Sequence, residues 1–222
     1  MRLDMSKPEQ DQFSPRQSAV LEEALRLLVE GGEKALTTAG VARAANCSKE
    51  SLYKWFGDRD GLLAAMIAYQ ASKVRTYEPT GSKLTREELR AHLLTFIRDL
   101  DEVLSGEVSL ALNRLSIGQA GAGGGKLGRL MLERGRGPIG KRAMALLEAG
   151  RRSGLLDFSD GGEAYETLYG LAVSDLHVRM LLGVSPETAR KELGSRAERA
   201  IDAFLRLYGA ANKWEEPRIR HA

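Results

Sequence analysis

The sequence predicts an all-α protein in which a small N-terminal domain of three helices precedes a larger C-terminal helical domain. Apolar residues recur at helical spacing along the chain, and strand-like alternation persists nowhere. Ala, Leu, Glu and Arg, which favour helices, are abundant, whereas aromatic residues make up only 6%. Closely spaced caps and turns between Leu36 and Leu63 are typical of a helix-turn-helix.

Charge and composition exclude few classes of protein. The net charge of +3 is compatible with a nucleic-acid partner without arguing for one. The single cysteine, Cys47, excludes an internal disulfide and a cysteine-based zinc cluster. No apolar run reaches the roughly 18 residues of a membrane span, and the polar N-terminus does not resemble a signal peptide. We therefore expect a soluble cytoplasmic protein with no membrane partner, no cofactor and no metal.

The first predicted helix has clear boundaries. Ser14 is a suitable cap, Pro15 fits the first helical position, and Gly31 and Gly32 are expected to end the helix. Residues 1–13 before it are predicted to be a disordered arm.

Two short helices and a turn follow. Thr37 or Thr38 is expected to cap the second helix, and Ser48 the third. Asn46 falls between them, where the chain needs a residue that tolerates left-handed backbone geometry. Asp58 then caps a fourth helix, which is predicted to continue to about Tyr77.

The break at residues 78–82 is the best candidate domain boundary. Beyond it only helical patterns occur, and glycines and a proline are expected to kink the third of them. The predicted helices are Thr85–Leu104, Val108–Ile117, Leu127–Leu156, Tyr165–Leu182 and Pro186–Leu207. The predicted organisation is an arm at 1–13, a helix-turn-helix domain at 14–60, a connecting helix and linker at 61–81, a ligand-binding and dimerisation domain at 82–211, and a tail at 212–222.

The third helix carries the candidate functional surface. Its apolar residues Leu52 and Phe56 face inward, so Glu50, Ser51 and Lys54 project the opposite way. Short polar and charged groups on an exposed face are what contacts to base edges and phosphates require. The alternative is an ordinary solvated helix face. The capped helix and turn in front of it favour DNA binding.

Arg59 is a second candidate. It lies just inside the start of the fourth helix, where the helix dipole disfavours a cation. A phosphate docked at this helix end would be bound by the free backbone N–H groups and by Arg59. Alternatively, Arg59 pairs with the flanking Asp58 and Asp60.

Residues 15–67 resemble the N-terminal signature of the tetracycline-repressor (TetR) family of bacterial regulators. The positions that carry the resemblance are Leu36, Thr37, Thr38, Val41, Ala42, Ala45, Ser48, Lys49, Leu52, Tyr53, Phe56, Arg59 and Leu62. Residues 146–183 are similar to the AefR-like subclass of C-terminal domains. The resemblance implies phosphate contacts from Thr38, Tyr53 and Arg59. It also implies base or groove contacts from Ser48, Lys49, Glu50, Lys54 and Trp55.

The chain departs from the family pattern at four positions. Asn46 replaces the usual turn glycine, and Cys47 replaces a small apolar residue. Glu50 replaces a common glycine, and Trp55 replaces a common histidine or tyrosine. The last two indicate an operator preference of its own. Cys47 is interpreted as a small packed residue, with a redox sensor as the alternative.

The resemblance also implies a C-terminal domain that binds a small ligand and dimerises. The ligand-binding candidates are Leu93, Phe96, Leu112, Leu115, Met131, Met144, Tyr165 and Tyr169. The dimer-interface candidates are Val173, Leu176, Met180, Ile201, Phe204, Leu205 and Tyr208. For both sets the alternative is plain core.

The predicted function is that of a homodimeric repressor, not an enzyme, which binds a palindromic double-stranded DNA operator and is released by a small, largely apolar effector. The alternative from another class is a helical enzyme or interaction protein without DNA binding. A regulator that activates transcription, or that senses no small molecule, is a second alternative.

Overall fold

A computed structural model describes residues 12–78, 83–120 and 125–210 of the protein. The all-α prediction is confirmed. Within these ranges the helices are α1 Pro15–Ala35, α2 Thr38–Ala44, α3 Lys49–Phe56, α4 Arg59–Ala71, α5 Arg86–Ser105, α6 Glu107–Ala120, α7 Lys126–Leu130, a π-helical turn Met131–Arg136, α8 Gly137–Arg152, α9 Gly161–Val173, α10 Leu176–Leu181 and α11 Pro186–Tyr208. The same ranges contain no strand, only an isolated bridge between Leu156 and Gly209. Nor does any helix among them have the length and apolar character needed to cross a membrane.

The described helices form two compact units. The first combines the residues up to Lys73 with those of Gly106–Pro138, and the second combines Val74–Ser105 with the residues from Ile139 onward. This division differs from the predicted boundary after residue 81. The reason is that α6 packs on α1 and the π-helical turn packs on α4, which draws both into the N-terminal unit.

The start of α1 shows how local chemistry sets a helix boundary. Ser14 Oγ accepts a hydrogen bond from the Gln17 amide, and Gln17 Oε1 accepts one from the Ser14 amide, which together form a capping box. Phe13 packs edge-on against Tyr69, with ring centroids 6.1 Å apart. Phe13 is therefore part of the folded unit rather than of a disordered arm. Residues 1–11 of the predicted arm and the predicted tail at 212–222 lie outside the described ranges.

The core of the first unit is built from one apolar stripe on each helix. The buried side chains include Val20, Leu21, Ala24, Leu28, Val41, Leu52, Phe56, Leu62, Met66 and Leu112. Each large aliphatic side chain in such a core stabilises the fold by roughly 1.5–3 kcal/mol. The short helices α2 and α3 therefore depend on packing more than on helix propensity.

Helix α4 ends at Ala71, so the prediction that it continues to about Tyr77 is wrong. Beyond Lys73 the chain belongs to the second unit. There the Arg75 amide donates to Asp99 Oδ2 at 3.0 Å instead of to a carbonyl one helical turn earlier. A tertiary hydrogen bond has replaced the helical one.

The segment at 127–156 is mostly helical, as predicted, but the interruptions and the end of the helix differ from the prediction. Its glycines do not break it. Instead the backbone widens into the π-helical turn, where a Cβ added at Gly135 would lie 3.2 Å from Ile67 Cγ2. The helix stops at Arg152, and Gly154 takes a positive φ of 70° just beyond it. Similarly, Gly32 has a φ of 63° inside α1, so the predicted stop is a kink three residues before the helix ends at Ala35.

The predicted helix at 165–182 is divided in two. Ser174 has φ 48° and ψ −131°, which no helical residue adopts, and this residue separates α9 from α10. In the second unit α11 packs against α9 and α5. Arg90 of α5 pairs with Glu198 at 2.7 Å and with Asp202 at 2.6 Å on α11.

Most of the predicted dimer-interface residues are core residues of a single chain. Val173, Leu176, Met180, Ile201, Phe204 and Leu205 expose between 0% and 4% of their surface. Tyr208 is half-buried, and its ring centroid lies 5.0 Å from that of Phe204. Side chains already buried within one chain present no surface to a second copy. The apolar stripes on α9–α11 therefore serve intrachain packing.

Candidate nucleic-acid interface

The turn between α2 and α3 has the predicted geometry. Thr37, not Thr38, caps α2, because its Oγ1 accepts a hydrogen bond from the Gly40 amide at 3.0 Å. Asn46 has a φ of 48°, the left-handed conformation that Asn tolerates. Ser48 caps α3 by accepting from the Ser51 amide at 3.1 Å. These contacts fix the angle at which α3 leaves the turn.

Arg16, which no sequence pattern singles out, stabilises this turn. Its Nη2 donates to the carbonyl oxygen of Ala45 at 2.9 Å and to that of Asn46 at 2.7 Å. Both carbonyls lie in the turn that follows α2. The last carbonyl groups of a helix have no partner within that helix, so Arg16 supplies one. Because these residues are 29 and 30 positions from Arg16 in the sequence, no local pattern could have revealed the contact.

Helix α3 presents the expected face. Leu52 and Phe56 are buried, with exposed fractions of 3% and 9%. Lys49, Glu50, Tyr53 and Lys54 are exposed, and Tyr53 is unusually so for an aromatic residue at 55%. A solvent-facing tyrosine between two lysines is suited to contact with a sugar-phosphate backbone.

Three of the predicted contact residues are less accessible. Thr38, Ser51 and Trp55 are half-buried. Trp55 packs against the core of the first unit and lies edge-on to Phe56, with ring centroids 6.2 Å apart. Trp55 therefore also contributes to packing, and any contact it makes with DNA uses only the edge that it leaves exposed.

The Glu50 side chain is held in its ionised form. The pKa of the Glu50 carboxyl is below its ordinary value. The larger cause is a hydrogen bond from its own backbone N–H, and the smaller is one from the Ser48 side chain. The start of a helix also favours a negative charge. Glu50 thus presents a carboxylate, an acceptor only, which suits the N4 amino group of cytosine and repels phosphate.

The start of α4 differs from the pairing with Asp58 and Asp60 that was the alternative for Arg59. Arg59 Nη2 pairs with Glu33 Oε1 of α1 at 2.7 Å rather than with the flanking aspartates. Asp58 instead caps α4, and the hydrogen bond from the Gly61 amide at 2.8 Å lowers the pKa of Asp58. Asp60 pairs with Lys126 at the start of α7. Each charge at this helix end therefore has its own partner.

The predicted ligand-binding residues are divided between the two units. Leu112 belongs to the buried core of the first unit, and Leu115 and Met131 are partly buried and pack against that core. Leu93, Phe96, Met144, Tyr165 and Tyr169 belong to the second. Phe96 lines a cleft in the second unit, and the other seven residues do not line that cleft.

A capped α2, a left-handed turn and an outward-facing α3 define a helix-turn-helix, the arrangement with which DNA-binding transcriptional regulators enter the major groove. Two family models match the chain. One, described as bacterial regulatory proteins of the tetR family, matches residues 20–66. The other, described as the C-terminal domain of AefR-like transcriptional repressors, matches residues 91–210. The chain belongs to the TetR family.

Solved structures support this membership. A TetR transcriptional regulator from Agrobacterium tumefaciens is 63% identical over 90% of this chain and 97% of its own, with a TM-score of 0.79. A TetR-family regulator from Rhodococcus sp. is 28% identical over 86% and 99%, with a TM-score of 0.62. One from Mesorhizobium loti, 22% identical over 87% and 96%, shares the fold, with a TM-score of 0.69. No curated protein matches the chain.

Proposed function

We propose that this regulator is a repressor, not an enzyme, that binds a palindromic operator as a homodimer and releases it when a small ligand binds. The observation that carries the proposal is the exposed surface of α3, on which Lys49, Tyr53 and Lys54 are exposed while Leu52 is buried. In a helix-turn-helix this is the face that enters the major groove.

The contacts divide into two kinds. Residues proposed to position the protein on phosphates are Thr38, Tyr53 and Arg59, and those proposed to line the groove are Ser48, Lys49, Glu50, Ser51, Lys54 and Trp55. Arg59 already pairs with Glu33, but this pair is exposed. Exposed ion pairs contribute only about 0–1 kcal/mol, so a phosphate can replace Glu33 at little cost.

The dimer surface is proposed to use the exposed apolar residues of α10 and α11 rather than their buried stripes. Val178 of α10 and Leu182, which directly follows that helix, expose 56% and 83% of their surface. Leu207, in the last turn of α11, exposes 65%. A second copy of the chain would cover these side chains. The resulting two-fold axis would carry two recognition helices to successive major grooves, roughly 34 Å apart.

The proposed division of labour follows from these assignments. Residues 14–60 read the operator, residues 61–81 connect, and most of residues 82–211 bind ligand and dimerise. Ligand release is a two-state linkage, in which the ligand shifts the balance only by its differential affinity for the two conformations.

Fluorescence anisotropy on the DNA upstream of the regulator's own gene tests the proposal. Specific binding should weaken steeply with salt because binding releases counterions from phosphates. Lys54→Ala and Arg59→Ala should each lower affinity, and each should reduce the salt slope by about one for every phosphate that the replaced side chain neutralises. Arg98→Ala, an exposed arginine on α5, is the matched control and should change neither.

The rival proposal, a helical enzyme or an interaction protein, makes the opposite forecast. It expects no preference for the upstream DNA over a scrambled duplex and no effect of Lys54→Ala or Arg59→Ala. That result would overturn the assignment of α3 as a recognition helix.

A further inference from the structure

A lysine of α7 lies at the start of α4, beside the phosphate-binding candidate Arg59. Lys126 Nζ pairs with Asp60 Oδ2 in the first turn of α4. The hydrogen bond from the Gly61 amide is the main cause of the lowered pKa of Asp58, and the positive charge of Lys126 adds to it. Lys126 therefore acts on both carboxylates that flank Arg59 in the sequence.

The packing of α7 fixes the position of this lysine. Leu127, 5% exposed, belongs to the buried core of the first unit, and α7 packs on α4 and α6. The backbone next to Lys126 is thereby anchored, while 62% of the Lys126 side chain is exposed to solvent. Helices α1–α4 and α7 all belong to this one compact unit. Lys126 therefore keeps its place beside α4, although 66 positions separate it from Asp60 in the sequence.

The start of α4 adjoins the surface proposed to read DNA. Only Gly57 and Asp58 separate the last residue of α3 from the first residue of α4. A chain that leaves a helix lying in the major groove must pass the sugar-phosphate backbone that borders the groove. Arg59 is exposed at this point and is proposed to bind a phosphate there. A second cation tied to the same helical turn comes within reach of the same stretch of backbone.

The pair with Asp60 leaves Lys126 able to bind another anion. The two side chains are 62% and 37% exposed, and ion pairs between exposed groups contribute little because water screens them. DNA presents a dense row of phosphates, and a lysine that neutralises one of them releases condensed counterions. A single carboxylate offers no such gain. We therefore expect Lys126 to exchange Asp60 for a phosphate when DNA docks.

We propose that Lys126 is a further phosphate-contacting residue, which extends the DNA-binding surface from the helix-turn-helix to α7. The inference rests on the proposed function, because it adds a contact to the same DNA interface. It gives the two members of the pair opposite effects on binding. Lys126 attracts a phosphate, whereas Asp60 competes with the phosphate for Lys126.

Fluorescence anisotropy with the upstream DNA, measured over a series of salt concentrations, tests the contact. Lys126→Gln removes the charge and keeps most of the length of the side chain. It should reduce the salt slope by about one and lower the affinity about tenfold at about 0.1 M salt, for the upstream DNA and a scrambled duplex alike. Lys126→Arg should preserve both quantities. Lys141→Gln, which changes an exposed lysine of the second unit, is the matched control and should change neither.

The carboxylate partner distinguishes a phosphate contact from a structural tether. Asp60→Asn removes the competitor, so this variant should bind DNA about two- to fivefold more tightly than the wild type. Lys126→Gln should weaken binding in the Asp60→Asn background at least as much as in the wild type. A tether makes a different forecast: both single variants bind more weakly, and the double variant binds no more weakly than Asp60→Asn alone. That pattern would overturn the proposal.

The Lys54→Ala variant separates this inference from the proposed function. If Lys54→Ala weakens operator binding while Lys126→Gln leaves the salt slope unchanged, the Lys126 contact is overturned and α3 still reads the operator. A wild type without preference for the upstream DNA, whose salt slope nevertheless falls by about one in Lys126→Gln, would keep the contact and remove operator reading. No DNA binding by the wild type would overturn both.

Discussion

Arg16 in the first turn of α1 donates a hydrogen bond of 2.7 Å from Nη2 to the carbonyl oxygen of Asn46 in the turn before α3. The same nitrogen donates to Ala45 at 2.9 Å. One side chain therefore ties the first helix to the loop that sets the direction of α3.

Replacing Arg16 with Met tests this connection. We expect Arg16→Met to lower the free energy of unfolding by about 1–3 kcal/mol, since it removes charged hydrogen bonds to carbonyls, and to weaken operator binding as well. Urea unfolding and anisotropy measure the two effects. Arg26→Met is the control, because Arg26 lies on the same helix and makes only exposed ion pairs with Glu23 and Glu30. An Arg16 variant no less stable than the control would refute the role.

Substitutions at Asn46 test its left-handed backbone. With φ at 48°, the residue occupies a region that glycine enters freely and that β-branched residues avoid. Asn46→Gly should leave stability within about 0.5 kcal/mol, whereas Asn46→Val should cost about 1–2 kcal/mol. Thermal unfolding compares them. Equal losses in both variants would mean that the Asn46 side chain matters more than its backbone geometry.

Charge substitutions test where the second copy of the chain packs. Val178→Asp and Leu182→Asp change exposed side chains, so each should weaken dimerisation at least about tenfold while leaving the monomer folded. Sedimentation velocity measures the change. Phe204→Ala should instead lower stability by about 3–5 kcal/mol, because Phe204 is fully buried within one chain. A dimer indifferent to both aspartates would move the interface elsewhere.

The carboxyl group of Asp101 predicts a specific pH dependence. Burial raises the pKa of Asp101 to about 7, and Arg196 acts in the opposite direction. In the unfolded chain the pKa of this carboxyl is about 4. Between about pH 4 and about pH 7, therefore, the folded state keeps a proton on Asp101 that the unfolded state has lost. Stability should therefore fall as the pH rises from about 4 to 7.

Asp101→Asn should remove that fall, leaving the variant more stable than the wild type at about pH 8 and similar to it at about pH 4. Unfolding in urea across this range measures the difference. Glu87→Gln, which changes an exposed carboxyl on the same helix, should reproduce the wild-type profile. A wild-type stability that rises through the window would contradict the burial of a protonated Asp101.

The helices of the N-terminal domain follow closely from the sequence, because their boundaries depend on neighbouring residues. The caps at Ser14, Ser48 and Asp58 each involve an amide three positions away. The left-handed backbone of the turn belongs to one residue, Asn46, whose type indicates it. Likewise the outward face of α3 follows from the helical period of 3.6 residues. The positions of the apolar residues within this helix of 8 residues are enough to identify it.

Elsewhere the same reasoning is insufficient, since an apolar stripe shows that a helix face is covered without showing what covers it. The stripes on α10 and α11 predict a dimer surface, yet Met180 and Ile201 are buried within one chain. The predicted boundary puts helix α6 in the C-terminal domain, yet it packs on α1. The periodicity predicts a continuous helix through Ser174, where the backbone turns out of helical geometry.

The sequence by itself thus determined the helix-turn-helix and its exposed residues, because hydrogen bonds between near neighbours and helical periodicity specify both. Tertiary structure alone decided the partners of the charged residues: Arg16 with Asn46, Arg59 with Glu33, and Arg75 with Asp99. Contacts between residues 24 or more positions apart depend on how whole helices pack, and no local pattern encodes that arrangement.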